Sequence, residues 1–151
     1  MTMHPIENVL PHTAPMILID SLDKYDEDTG ICSVMITSQS NFYNVDTQSV
    51  PSHVGIEYMA QTIAAYANAN QLDNGSEVAI GFLVSSRKYQ MHCTGFNLHS
   101  TLTIEVVKLY SEANGLSAFE CVIKEGERVL VDAKINVFQP ENPEQFLAEQ
   151  L

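Results

Sequence analysis

Glu57 is the residue in this sequence best placed to do chemistry. It stands in Val50-Pro51-Ser52-His53-Val54-Gly55-Ile56-Glu57-Tyr58-Met59-Ala60-Gln61, the only charge in a segment that is otherwise mostly apolar or small. A carboxylate in such surroundings must find partners, become protonated, or react. His53 and Gln61 lie four residues before and after it, a spacing that puts all three side chains on one stripe of an α-helix. An acid, an imidazole and an amide along one stripe suit proton transfer to and from an oriented substrate.

The element that must carry them runs from about residue 52 to 72. Pro51 and Ser52 are helix-start signals, alanines dominate the middle, and nothing interrupts the run until Asp73-Asn74-Gly75. At 1.5 Å rise per residue that is about five to six turns. Ala60, Ala64, Ala65, Ala67 and Ala69 sit among Val54, Ile56, Met59 and Ile63, so apolar positions face nearly every direction. Such a helix is buried, and its small side chains let a sheet approach it closely.

The flanking chain supplies that sheet. Pro5 to Leu10 reads as a short helix, Met16 to Asp20 as a first strand, Asp26 to Gly30 as a turn, and Ile31 to Ile36 as a second strand. Residues 37 to 50 are polar and irregular. After the helix, Val78 to Tyr89, Leu98 to Tyr110, Leu116 to Lys124 and Val129 to Phe138 alternate as strands around turns at 111–115 and 125–128. Two strands, a long helix and four strands predict one α+β domain over residues 1–140, with 141–151 as a tail.

Composition narrows the function classes. Nineteen acidic against seven basic residues give a formal net charge of −12 over 151 residues, which argues against nucleic acid and anionic membrane surfaces as partners. No charged-then-apolar leader opens the sequence and no apolar run approaches the roughly 20 residues of a membrane span, which predicts a cytoplasmic protein. Cys32, Cys93 and Cys121 are odd in number and far apart, so core thiols are expected. His4, His92 and His99 show no metal-ligand spacing, so no metal site is expected. The one adjacent basic pair, Arg87-Lys88, reads as a solvated strand pair.

With these elements in place, the chain resembles the hot-dog family of 3-hydroxyacyl-acyl-carrier-protein dehydratases, and more narrowly the divergent branch associated with aryl polyene biosynthesis. Leu10-Pro11-His12-x-x-Pro15 with the following Met16 to Asp20 is similar to the family's opening motif. Glu57-Tyr58-Met59-Ala60-Gln61 is similar to its central-helix motif, and Gly81 to Tyr89 to the start of its following sheet. The resemblance implies a long central helix wrapped by a curved antiparallel sheet, assembly as a homodimer or higher or as a heterodimer with another hot-dog subunit, an acyl carrier protein bearing a 3-hydroxyacyl chain as partner, and no cofactor.

It also implies that Glu57 and Gln61 are catalytic, Glu57 as the acid for the departing hydroxyl. The amides of Ser52 to Val54 are expected to hold the thioester oxygen. Ile56, Met59, Ile63, Phe82 and Val84 are expected to line an apolar tunnel. The family's catalytic histidine lies fourteen positions before the helix acid, and here that position is Tyr43, expected as a loop packing residue whose hydroxyl could reach the site. Three readings follow: His53 acts as base, a different hot-dog subunit supplies the histidine, or the chain binds acyl thioesters without catalysis. A hot-dog thioesterase, with Glu57 activating water, is the rival within enzymes. His12 is expected to fix the opening motif to backbone rather than to react.

Overall fold

The computed structural model describes residues 3–76 and 83–139. Glu57 stands in the first turn of α2 (Gly55–Asp73), which follows a 3-10 turn at Ser52–Val54 and is preceded by α1 (Ile6–Val9). The strands are β1 (Ser21–Tyr25), β2 (Thr29–Met35), β3 (Ser49–Pro51), β4 (Leu83–Met91), β5 (Gly95–Asn97), β6 (Thr101–Ser111), β7 (Leu116–Glu125) and β8 (Arg128–Phe138). Six of them form one antiparallel sheet in the order β1-β2-β6-β7-β8-β4, and β3 pairs with β5 in a small second sheet. A long helix wrapped by one antiparallel sheet is the hot-dog arrangement expected above.

Alternation in β2 and β6 to β8 puts Cys32, Val34, Leu102, Ile104, Val106, Cys121, Ile123, Ala133, Ile135 and Val137 against α2. From the helix, Tyr58, Met59, Ile63, Ala65, Tyr66 and Ala69 enter the same core. Gly30 on β2 shows why the packing is close. A Cβ there would fall 2.6 Å from the Cβ of Tyr66. Cys32 and Cys121 are buried free thiols, pushed up to about 12 by burial, as expected of core cysteines.

Three local expectations need correction. Met16 to Asp20 is not a strand: its Met16 carbonyl and Leu18 N–H bond a side chain of α2, pairing with β2 begins at the Asp20 N–H, which donates to the Ser33 carbonyl at 2.9 Å, and the segment follows a cis Ala14-Pro15 peptide. Ser52 does not cap the helix. Its hydroxyl donates to the Met91 sulfur at 3.1 Å, and a 3-10 turn opens the helix. The chain between β2 and α2 is not all loop, since Ser49–Pro51 pairs with Gly95–Asn97. Phe82, the first five residues of the strand expected from Val78, and the 141–151 tail lie outside the described residues.

Candidate active site

Gln61 organises the site. Its side chain is fully buried and makes three hydrogen bonds: Oε1 accepts the Leu18 N–H at 2.9 Å, and Nε2 donates to the Met16 carbonyl at 2.9 Å and to Glu57 Oε1 at 3.2 Å. An N–H can only donate and a C=O can only accept, so these backbone partners fix which end of the amide is oxygen. The NH₂ group therefore faces Glu57. The expected Glu57–Gln61 pairing on one helix stripe is present, one turn apart.

A second group reaches the same carboxylate oxygen. His12 Nε2 lies 3.6 Å from Glu57 Oε1. Glu57 Oε1 thus faces two nitrogens, while Oε2 has no protein hydrogen-bond partner among the described residues. His12 Nδ1 is enclosed and also without a partner among the described residues. In the tautomer that directs Nε2–H at Glu57, the imidazole's lone pair is at Nδ1, shut away from the space around the carboxylate.

That space is an apolar-walled cavity of about 390 Å³ lined by Pro11, His12, Ile56, Glu57, Ala60, Ala64 and Val84. Glu57, Ala60 and Ala64 fall within about 60° of one another around a helix of 100° per residue, so they form one wall. The Glu57 side chain is 46% exposed there, and His12 30%.

Ile56 and Val84, two of the residues expected along an apolar tunnel, are in the cavity wall. Met59 and Ile63 are not: both are buried in the core. Two and six residues from Glu57, they point to the far side of the helix, about 200° and 240° round. Ser52 and Val54 are buried and do not line the cavity. The Ser52 N–H is taken by the Thr94 carbonyl at 3.3 Å, so it is not among the amides free for a thioester oxygen. Tyr43 packs against the core from its loop and is not in the cavity wall.

His53 is exposed and its side chain makes no hydrogen bond or ion pair among the described residues. The expected alignment with Glu57 fails because the chain enters the helix through a 3-10 turn. At about 120° per residue instead of 100°, the offset from Glu57 grows from about 40° to about 80°. The imidazole beside Glu57 is His12, contributed from 45 residues upstream. No helical or strand periodicity could have found it, because it arrives on an irregular segment held by Gln61.

The start of α2 is anchored to the sheet by Tyr89 on β4. Its hydroxyl donates to the Ser52 carbonyl at 2.6 Å and faces the Ile56 N–H, and burial holds its pKa well above the ordinary tyrosine value. Gly55 makes room for it: a Cβ there would meet the Tyr89 hydroxyl and come 2.8 Å from Ile123 Cδ1. Among the described residues no cluster of His, Cys, Asp or Glu could hold a metal ion, and no helix is long and apolar enough to cross a membrane.

Solved structures share this architecture. The dehydratase heterocomplex ApeI:P from Xenorhabdus doucetiae superposes with a TM-score of 0.89 at 24% identity, covering 99% of this chain and 100% of that one. An uncharacterized protein from Pyrococcus horikoshii gives 0.66 at 10% identity over 93% and 97% of the two chains. A hypothetical thioesterase with coenzyme A from Streptococcus pneumoniae gives 0.60 at 10% identity over 79% and 84%. These likenesses establish the hot-dog fold. No curated protein matches the sequence. The family model described as ApeP-like, ApeP dehydratase, matches residues 4–148, a span that takes in the opening motif with His12, the helix with Glu57 and Gln61, and every strand of the sheet. By that match the chain belongs to the ApeP-like dehydratase family.

Proposed function

We propose that this chain is the acid-bearing half of a two-chain dehydratase that removes water from 3-hydroxyacyl thioesters on an acyl carrier protein, with the general-base histidine contributed by a different hot-dog chain. One observation carries this reading. Glu57 is fixed at the cavity by Gln61, yet neither nearby histidine stands free as a base there: His53 is exposed to the side, and His12 has its Nδ1 enclosed and its Nε2 turned to Glu57 Oε1 at 3.6 Å. The heterocomplex assembly of the Xenorhabdus relative supports a second chain, and the family match supports a place in polyene biosynthesis.

The chemistry follows from the geometry. With Oε1 facing Gln61 and His12, the carboxyl proton belongs on Oε2. The partner's imidazole takes the proton from the carbon next to the thioester, and the electron pair forms the C=C bond. The C–OH bond breaks, and the leaving hydroxyl takes the Oε2 proton to depart as water. The resulting carboxylate is stabilised by the Gln61 N–H on Oε1, and the imidazolium proton returns to Oε2 to reset the pair. The acyl chain lies against Ile56, Ala60, Ala64 and Val84. A soluble carrier as substrate supports a cytoplasmic reaction.

The test is enoyl formation from a 3-hydroxyacyl carrier protein by this chain, alone and co-expressed with a histidine-bearing hot-dog chain. Alone it should be nearly inactive. Together they should turn over, and Glu57→Gln should cut the rate by about 10²–10⁴-fold. Full activity of the chain alone would refute the two-chain reading. Undiminished activity of Glu57→Gln in the complex would remove Glu57 from the chemistry.

A further inference from the structure

In a chain of net charge −12, the stretch from Val78 to Ile104 contains no aspartate or glutamate, and it contains β4. β4 is the outermost strand of the six-stranded sheet, so one row of its backbone N–H and C=O groups has no strand beside it among the described residues. From Val84 to Met91 every residue except Tyr89 is exposed. The ladder with β8 slips between Ser86 and Lys88, which makes Arg87 the extra residue of a bulge, and Arg87 and Lys88 together stand opposite the exposed Lys134. Neither Arg87 nor Lys88 makes an ion pair among the described residues.

Lysine and a bulge blunt a strand edge against indiscriminate pairing. Val84, 38% exposed, and Met91, 51% exposed, do the opposite at the two ends of the strand. The combination describes an edge that admits some strands and refuses others. Symmetry identifies what is refused. Two copies joined antiparallel through β4 would share a two-fold axis, so each residue meets its mirror position in the other copy. Arg87 is the midpoint of Leu83–Met91, and registers centred there set Arg87 and Lys88 opposite or diagonal to themselves. Like charges across a strand pair are destabilising, and acids in those places are stabilising.

We propose that Arg87 and Lys88 on the β4 edge select the partner, favouring a different hot-dog chain with an acidic edge strand over a second copy of this chain. This rests on the two-chain reading and adds to it the selecting residues. The same strand reaches the site, since Val84 lines the Glu57 cavity and Tyr89 anchors the start of α2. A partner paired along β4 therefore abuts the Val84 wall of that cavity, where its histidine is needed.

The experiment needs no knowledge of the natural partner. The double variant Arg87→Glu/Lys88→Glu carries the acidic edge itself, and is mixed in equal amounts with the wild-type chain at micromolar concentration for native mass spectrometry. The mixed dimer should exceed the statistical share, forming about tenfold or more tightly than either like pair, and the preference should shrink in high salt. Lys24→Glu/Arg128→Glu makes the same charge change at exposed sites off β4 and should give no preference. Lys88→Glu alone should give a smaller preference in the same direction. Absence of a mixed dimer, statistical mixing, or an equal preference in the off-edge control would overturn the proposal. Statistical mixing is also the outcome if Arg87 and Lys88 serve instead to dock an acidic carrier protein. Failure of the two-chain reading shows separately, as enoyl formation by the chain alone.

Discussion

Gln61→Glu offers the sharpest test of the hydrogen-bond arrangement at the site. The substitution keeps an acceptor for the Leu18 N–H but replaces the NH₂ donor that serves both the Met16 carbonyl and Glu57 Oε1. If ionised, the new side chain would be a fully enclosed carboxylate about 3 Å from a second one. If protonated, its O–H restores one donor. Burial and a like charge both raise a carboxyl pKa, by about 3 units or more at a fully buried position. A group whose folded pKa is raised contributes its full share below the unfolded value near 4.3, and that share is lost as pH rises toward the folded pKa. At 1.36 kcal/mol per unit, the variant should lose about 2–3 kcal/mol relative to wild type between pH 5.5 and pH 8, a large part of a domain's total of about 5–15 kcal/mol. Urea unfolding of both chains at the two pH values, at one protein concentration, measures this. Gln61→Met should cost stability equally at both, because it removes all three bonds without adding a titrating group. A Gln61→Glu midpoint that tracks wild type at both pH values would mean that Gln61 does not hold Glu57 as described.

Ala64→Phe fills the wall of the Glu57 cavity and should shorten the acyl chain accepted by the complex, whereas Met59→Ala, on the core side, should cost stability of about 2–5 kcal/mol without changing chain-length preference. Product profiles and thermal melts separate the two. Gly55→Ala forces a methyl against Ile123 and the Tyr89 hydroxyl, and should lower the melting temperature by an amount equivalent to about 1–3 kcal/mol. Asp73 accepts hydrogen bonds from Tyr25 and His4, which hold its carboxyl below the usual value, so this contribution is present at neutral pH and is lost as pH falls through the lowered pKa. Asp73→Asn should flatten that acid limb in a pH series of melts. Thiol reagents should label Cys93 in the folded chain, and Cys32 and Cys121 only on unfolding.

The sheet and the central helix were legible because their signals are local. Alternation in Thr101–Ser111 and Arg128–Phe138 and the alanine-rich run in Gly55–Asp73 each follow from the period of their element. Glu57 and Gln61 were legible for the same reason, four residues apart on one helix. The apolar run Met16 to Asp20 looked like a strand by that reasoning, but its Met16 carbonyl and Leu18 N–H are satisfied by a buried glutamine from α2, a tertiary contact that no local pattern encodes. His12 arrives beside Glu57 by the same contact. That Met59 and Ile63 lie on the core side and not in the Glu57 cavity was not legible, because an all-round apolar helix does not announce which side is open. His53 failed because a single 3-10 turn changes the angular count.

The hydroxyl of Tyr89 joins a strand edge to the first turn of the helix that carries Glu57. In mechanical terms it is a strut between the surface where another chain would seat and the group that would act on the substrate. A strand added to β4 that shifts the backbone at Tyr89 shifts the Ser52 carbonyl and the Ile56 amide with it, and Glu57 is the next residue along. Docking and alignment of the acid are then one movement, so a poorly seated partner would show its fault as a misaimed carboxyl rather than as a weaker complex alone.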